Sequence, residues 1–159
     1  MASTITASTL TVEIKELITL NGKQQGGTIS KNTASIAEFT KRILTITTAE
    51  STIATFSSAV ASAGHFTAAS VRYIRFTNLD DTNFITLTFR NQDNDEVSLK
   101  IDAGQSFIWN GDNVNGMTAV LNATQDADAA SSTNFGSLTN IQADADTATV
   151  DLEMFIACK

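Results

Sequence analysis

The chain has 159 residues, a net charge of −7 and 17% charged residues. That length fits one domain, and folding should bury roughly 70% of the extended chain's surface, enough for a core that needs no disulfide or metal. Its Lys and Arg are scattered, with Lys41–Arg42 and the Arg72/Arg75 pair nearest to clusters, so it is a poor grip for phosphates and nucleic-acid binding is not expected.

Thr and Ser are abundant and proline is absent. Thr is β-branched and suits a pleated, half-solvated surface. The first predicted strand is Thr9–Ile14, with Leu10, Val12 and Ile14 on one face and Thr11 and Glu13 on the other. Alternation fails at Glu16–Leu17, which marks a bulge or strand end, and Asn21–Gly22 reads as a turn. Gln24 to Ala37 is polar and glycine-dotted and is expected to be a long loop. Phe39–Thr48 is the next strand, with Leu44 and Ile46 on one face. Thr52–Phe56 reads as a short strand, because its Thr content outweighs the helical spacing of Ile53, Phe56 and Val60.

Val71–Thr77 follows, with Ile74 and Phe76 on one face and Tyr73 on the other. Both faces carry Arg or aromatic groups, so the strand is either covered on both sides or its Arg side chains reach outward along apolar surface. Phe84–Phe89 and Glu96–Ile101 form the clearest hairpin, with Ile85, Leu87 and Phe89 facing Val97, Leu99 and Ile101 across the polar loop Asn91–Asp95. Ser106–Trp109 and Met117–Leu121 are short strands, and Ala123–Ser137 is expected to be an exposed loop. The last strand is Thr147–Ala157: Val150, Leu152, Met154 and Ile156 point one way, and Asp151, Glu153 and Phe155 the other. Seven to nine strands without a long helix predict an all-β, single-domain antiparallel β-sandwich over residues 1–159, with a jelly-roll arrangement as one way to order it. Met1–Ser8 is expected to be a flexible arm.

The N-terminus MASTITASTL lacks a basic and an apolar signal region, and no apolar run approaches the roughly 20 residues that span a bilayer, so synthesis in the cytoplasm without membrane insertion is expected. Cys158 is the only cysteine, which leaves no internal disulfide, and its last-strand position reads as a small apolar residue.

Acidic turns raise the question of a metal. Asp93, Asp95 and Glu96 share one loop, Asp80 and Asp81 the one before it, and Asp126/Asp128 and Asp144/Asp146 form alternating pairs. Calcium takes six to eight oxygens from such loops. The Asp93-x-Asp95 pair lacks the Gly and distant Glu of an EF-hand, and Asp and Asn are also the residues that close turns on their own backbone. The turn reading is preferred, Asp80, Asp81, Asp93, Asp95 and Glu96 remain weak calcium candidates, and no cofactor is expected. His65 is the only histidine, no G-x-S-x-G occurs, and Gly26–Gly27 lacks the Lys of a phosphate loop, so no enzyme is predicted. Phe89, Phe107 and Trp109 read as core or core edge; Trp109-Asn110-Gly111 could also serve as a sugar platform or, with Phe155, as interface. Phe155 is a large apolar group on an acidic face, which calls for cover by a loop or by a neighbouring subunit.

The stretches KRILTITTAESTIATF, VRYIRFTNLDDTNFITLTF, VSLKIDAGQSFIW and VDLEMFIA resemble segments of small β-rich virion proteins of tailed bacteriophages. The pattern Y-I-R-x-x-N-L-D-x-T-N-F, a strand, then A-G-Q-S-F carries the resemblance; Ala103 stands where such proteins more often have proline. The resemblance implies a non-enzymatic, homo-oligomeric virion component, made in the host cytoplasm. A capsid decoration (cement) protein that contacts the major capsid protein, as a trimer, is its leading form. A head-tail connector or tail component is the alternative, and a calcium- or carbohydrate-binding host-recognition module is a further one.

Overall fold

A computed structural model describes residues 5–58, 62–111 and 137–159. Among them are thirteen strands: β1 (Ser8–Lys15), β2 (Thr19–Leu20), β3 (Lys23–Gln24), β4 (Thr28–Ile36), β5 (Glu38–Ile46), β6 (Ser51–Ser57), β7 (His65–Thr67), β8 (Val71–Asn78), β9 (Ile85–Asn91), β10 (Glu96–Ile101), β11 (Ser106–Asn110), β12 (Leu138–Ala145) and β13 (Val150–Cys158). The all-β expectation holds. One sheet runs β10-β9-β12-β6-β7 and a second runs β11-β8-β13-β5. Every pairing is antiparallel except the short parallel β6–β7 contact.

Setting β7 aside and numbering β5, β6 and β8 to β13 from one to eight, the sheets read 2-7-4-5 and 1-8-3-6. That is the strand order of a jelly roll, two interleaved Greek keys. Ile74, Phe76, Leu152, Met154 and Ile156 of one sheet and Ile85, Leu87, Phe89 and Ile141 of the other are buried in one cluster between them. The two-residue period of these large side chains puts them all on inner faces.

Four departures from the sequence reading have physical causes. β12 was not foreseen, yet it lies between β9 and β6. Two of its four buried residues are the alanines Ala143 and Ala145, and a register shift between Leu138 and Asn140 breaks its alternation. The loop expected over Gln24–Ala37 is largely strand: β4 pairs with β1 along its length but is exposed except at Thr33 and Ile36, so it never shows an apolar face. Val97 and Leu99 do point toward the core side but are 37% and 38% exposed, because β10 is an edge strand; only Ile101 of that strand is buried. The final strand begins at Val150 rather than Thr147, whose hydroxyl instead donates to Asn83 Oδ1 at 2.8 Å.

Of the two options for β8, cover on both faces is the one found: Arg72 and Tyr73 are 7% and 5% exposed. Arg72 Nη1 donates to the carbonyls of Ala69 at 2.7 Å and Val71 at 3.0 Å. β6 is a strand, as preferred over a helix. The strand expected at Met117–Leu121, the Asp126/Asp128 pair, residues 1–4 of the expected arm and most of the Ala123–Ser137 loop lie outside the described residues.

A candidate interaction surface on the outer face

The acidic turns are built from Asn and Asp closing on their own backbone. In the β8–β9 connection, Asp80 Oδ1 accepts from the backbone N–H of Thr82 at 2.8 Å and of Asn83 at 2.6 Å. Those bonds, Asn83's first, hold the Asp80 carboxyl below the usual carboxylate range. Asp81 Oδ1 accepts the Thr82 hydroxyl at 2.9 Å. In the β9–β10 hairpin, Asn91 Oδ1 accepts from the N–H groups of Asp93 at 2.9 Å and Asp95 at 2.8 Å, and Asn91 Nδ2 donates to Asp95 Oδ2 at 3.0 Å. Glu96 pairs across the strands with Arg90, whose Nε lies 2.7 Å away. Among the described residues, no group of three or more His, Cys, Asp or Glu is placed to hold a metal ion. Asp146 accepts the Thr147 N–H at 2.7 Å, while burial and then Glu50 raise the Asp144 carboxyl.

Among the described residues Asp93 accepts only from the exposed Gln92 side chain, so Asp93→Ala should cost well under about 1 kcal/mol in urea unfolding; a larger loss would mean the hairpin loop holds more than a turn. Asp80 gives a pH signature. Its folded pKa is depressed, so its contribution is fully present above the unfolded carboxylate range near ~3.9 and is lost as pH falls through the lower folded value. The stability gap between wild type and Asp80→Asn should therefore be flat above about pH 5 and narrow on acidification.

His65 lies on β7 and lines a cleft of about 430 Å³ with Arg42, Ser51, Thr52 and Thr55. None of the described residues lining that cleft is a carboxylate or a thiol. Arg42 Nη2 donates to the Ile53 carbonyl at 3.1 Å. Cys158 is buried, and burial, then the Glu38 charge, push its thiol up to about 12. A thiolate is the reactive form. A disulfide reagent should therefore label native protein far more slowly than urea-unfolded protein; equal rates would show Cys158 open to solvent.

Trp109 points inward, opposite Ile74 on β8, and packs against the core, while Phe107 meets Phe89 edge-on at 5.4 Å. Phe155 is on the outer face of the four-stranded sheet. It stacks on Phe39 at 5.8 Å and meets Tyr73 edge-on at 5.7 Å. Beside it, Glu153 binds Lys41 at 3.1 Å and also Arg75; those two partners, Arg75 first, lower its pKa.

What crosses this face is the chain's own hairpin. β1 and β4 pair from Ser8↔Ile36 to Lys15↔Thr28, and β2–β3 extend the ribbon to the Asn21–Gly22 turn. Both turn residues have positive φ, 51° and 74°, as a type I′ hairpin requires. At Gly26 a Cβ would lie 1.9 Å from the Glu16 carbonyl oxygen, so only glycine lets the two chains approach there. Leu10 and Val12 are half-buried, and grooves of about 410 and 340 Å³ remain between β1 and the sheet, both lined by Phe155. Thr33, buried on β4, is 3.5 Å from Asn110 Oδ1. Beside Phe155 the structure places the chain's own strand hairpin, rather than the loop expected there.

No family model, curated protein or solved structure matches the chain.

The body covers only the base of the hairpin. Beyond Val12, Ile14 and its partner Ile29 are 49% and 67% exposed, and past the break in alternation Leu17, Ile18 and Leu20 are 72%, 49% and 55% exposed. Two-stranded ribbons are marginal in water, and exposed clusters of large apolar side chains mark contact sites. Next to the base, Phe39 and Ile43 on the outer face of β5 are 66% and 59% exposed. The Asn-Gly turn was the available signal for this arm; its return strand is too polar to be read as one.

Proposed function

We propose that the chain is a non-enzymatic structural subunit of a bacteriophage particle, in its leading form a capsid decoration (cement) protein that stabilises contacts with the major capsid protein. The hairpin arm carries the reading: it presents five large apolar residues that are about half to three-quarters exposed, which is how a subunit that works through contacts is built. The jelly-roll order supports it by analogy, since many viral coat domains share that topology, although lectins do too. A head-tail connector or tail component is the second reading, favoured by an arm that reaches past its own sheet edge, as subunits in rings do. The calcium module is disfavoured by carboxylates already bonded within their own turns.

An antibody against the chain, applied to particles released from the source host and viewed by electron microscopy, tests this. Label over the head supports decoration, and label at the neck or tail moves the chain to the connector or tail group. Particles without label, with the protein left free in the lysate, overturn the reading.

A further inference from the structure

We propose that the arm is covered by a second copy of this chain: the arm tip of one copy docks on the outer face of β5 in the next, head to tail. This rests on the subunit reading and adds the partner and the geometry.

The direction of the arm carries the argument. Its base lies at the β5 side, where Ile5 and Leu10 share a groove with Phe39 and Phe155. It then crosses the sheet, and Val12 and Ile14 share a groove with Arg75 of β8 and Ile108 of β11. Among the described residues, β5 and β11 are the two opposite edges of that sheet. From Ile14 the chain runs seven more residues to Asn21, roughly 20 Å at the rise of a strand. Leu17, Ile18 and Leu20 are about half to three-quarters exposed there.

The opposite edge is the complement. Among the described residues β5 has a sheet neighbour on one side only, and its outer face presents Phe39 and Ile43 to solvent. An unpaired edge with exposed apolar groups invites another chain. One copy therefore carries an apolar donor beyond β11 and an apolar receiver at β5, on one face of one sheet. Copies placed side by side bring donor and receiver together, and a capsid partner on the arm alone would leave the receiver bare. The layer is also continuous: Phe39, in the receiver, stacks on Phe155, which the resident arm base borders.

The area is adequate. Leu17, Ile18 and Leu20 of the tip and Phe39 and Ile43 of the receiver, each about half to three-quarters exposed, offer on the order of 500 Å² of apolar surface. Apolar atoms make up a little over half of an interface, so the junction totals about 1,000 Å², the lower bound for a specific contact. A contact between different patches closes into a ring when its rotation allows.

The test is light scattering on the full chain at several concentrations. Wild type is expected as a closed oligomer of more than two copies. Leu17→Asp with Leu20→Asp, in the arm, and Ile43→Asp, in the receiver, should each give a folded monomer by circular dichroism, since all three sites are exposed; Leu20→Ser is a milder arm change if the double variant unfolds. Mixed in equal amounts, the two variants should form a dimer and nothing larger, because only one intact arm meets one intact receiver. Variants that keep the wild-type mass, or a mixture that stays monomeric, overturn the proposal. So does a wild-type chain that is monomeric up to about 100 μM; if that monomer still labels particles, the subunit reading stands without it.

Discussion

Leu87→Ala should lower stability by about 2–5 kcal/mol, the range for removing a buried leucine and leaving a cavity. For a domain of this size that is a fall of roughly 5–15 °C in Tm. Leu87 is 0% exposed on β9, with Leu99 of β10 as its partner on one side and Ala143 of β12 on the other. Its side chain meets the inner face of the opposing sheet, and a small neighbour such as Ala143 gives the site little material with which to collapse. Leu99→Ala, directly across the ladder, should cost under about 1.5 kcal/mol, because Leu99 is already 38% exposed at an open edge and loses less transfer energy. Urea unfolding with a shared m-value measures both. Equal losses at the two sites would show that β10 is covered in solution, which would put a second contact surface at that edge.

The contrast between these two leucines also shows what a sequence can carry. The period-two alternation of large residues in β5, β8, β9 and β13 placed their inner faces correctly, because the pleat is a local property of the chain. Which strand forms an edge is not local, so Val97 and Leu99 read the same as Leu87. β12 failed for a different reason: alanine at Ala143 and Ala145 gives little contrast with polar neighbours, and the shift near Leu138 resets the phase. β4 failed because a ribbon lying mostly in solvent has no apolar face to display. The side of β13 that carries Phe155 was legible, and so was the demand for cover. That the cover is the N-terminal hairpin depends on a chain path that no spacing encodes. The acidic turns were legible as turn chemistry because Asn and Asp act on residues two to four positions away.

Asn78→Ala should be nearly as damaging as the core change, at about 2–4 kcal/mol, although it removes no apolar packing. Asn78 is 0% exposed at the end of β8. Its Nδ2 donates to the carbonyls of Asn83 at 2.8 Å and Ile101 at 3.2 Å, and its Oδ1 accepts the Asp80 N–H at 3.0 Å. One side chain thus ties the β8–β9 connection to the end of β10, and its backbone N–H also bonds the Gln105 carbonyl at 2.9 Å. Alanine leaves those side-chain partners behind in a place that Asn78 itself keeps dry, and each unpaired buried group costs roughly 1–3 kcal/mol. Asn78→Asp should be at least as harmful: it keeps the acceptor, replaces the donor with a second acceptor facing two carbonyls, and adds a buried charge. Its deficit should shrink as pH falls through the raised carboxyl pKa, since protonation restores one donor. The readout is thermal unfolding of both variants at neutral and acidic pH. An alanine variant within about 0.5 kcal/mol of wild type would show that water satisfies these groups and that the connection is held by the strands alone.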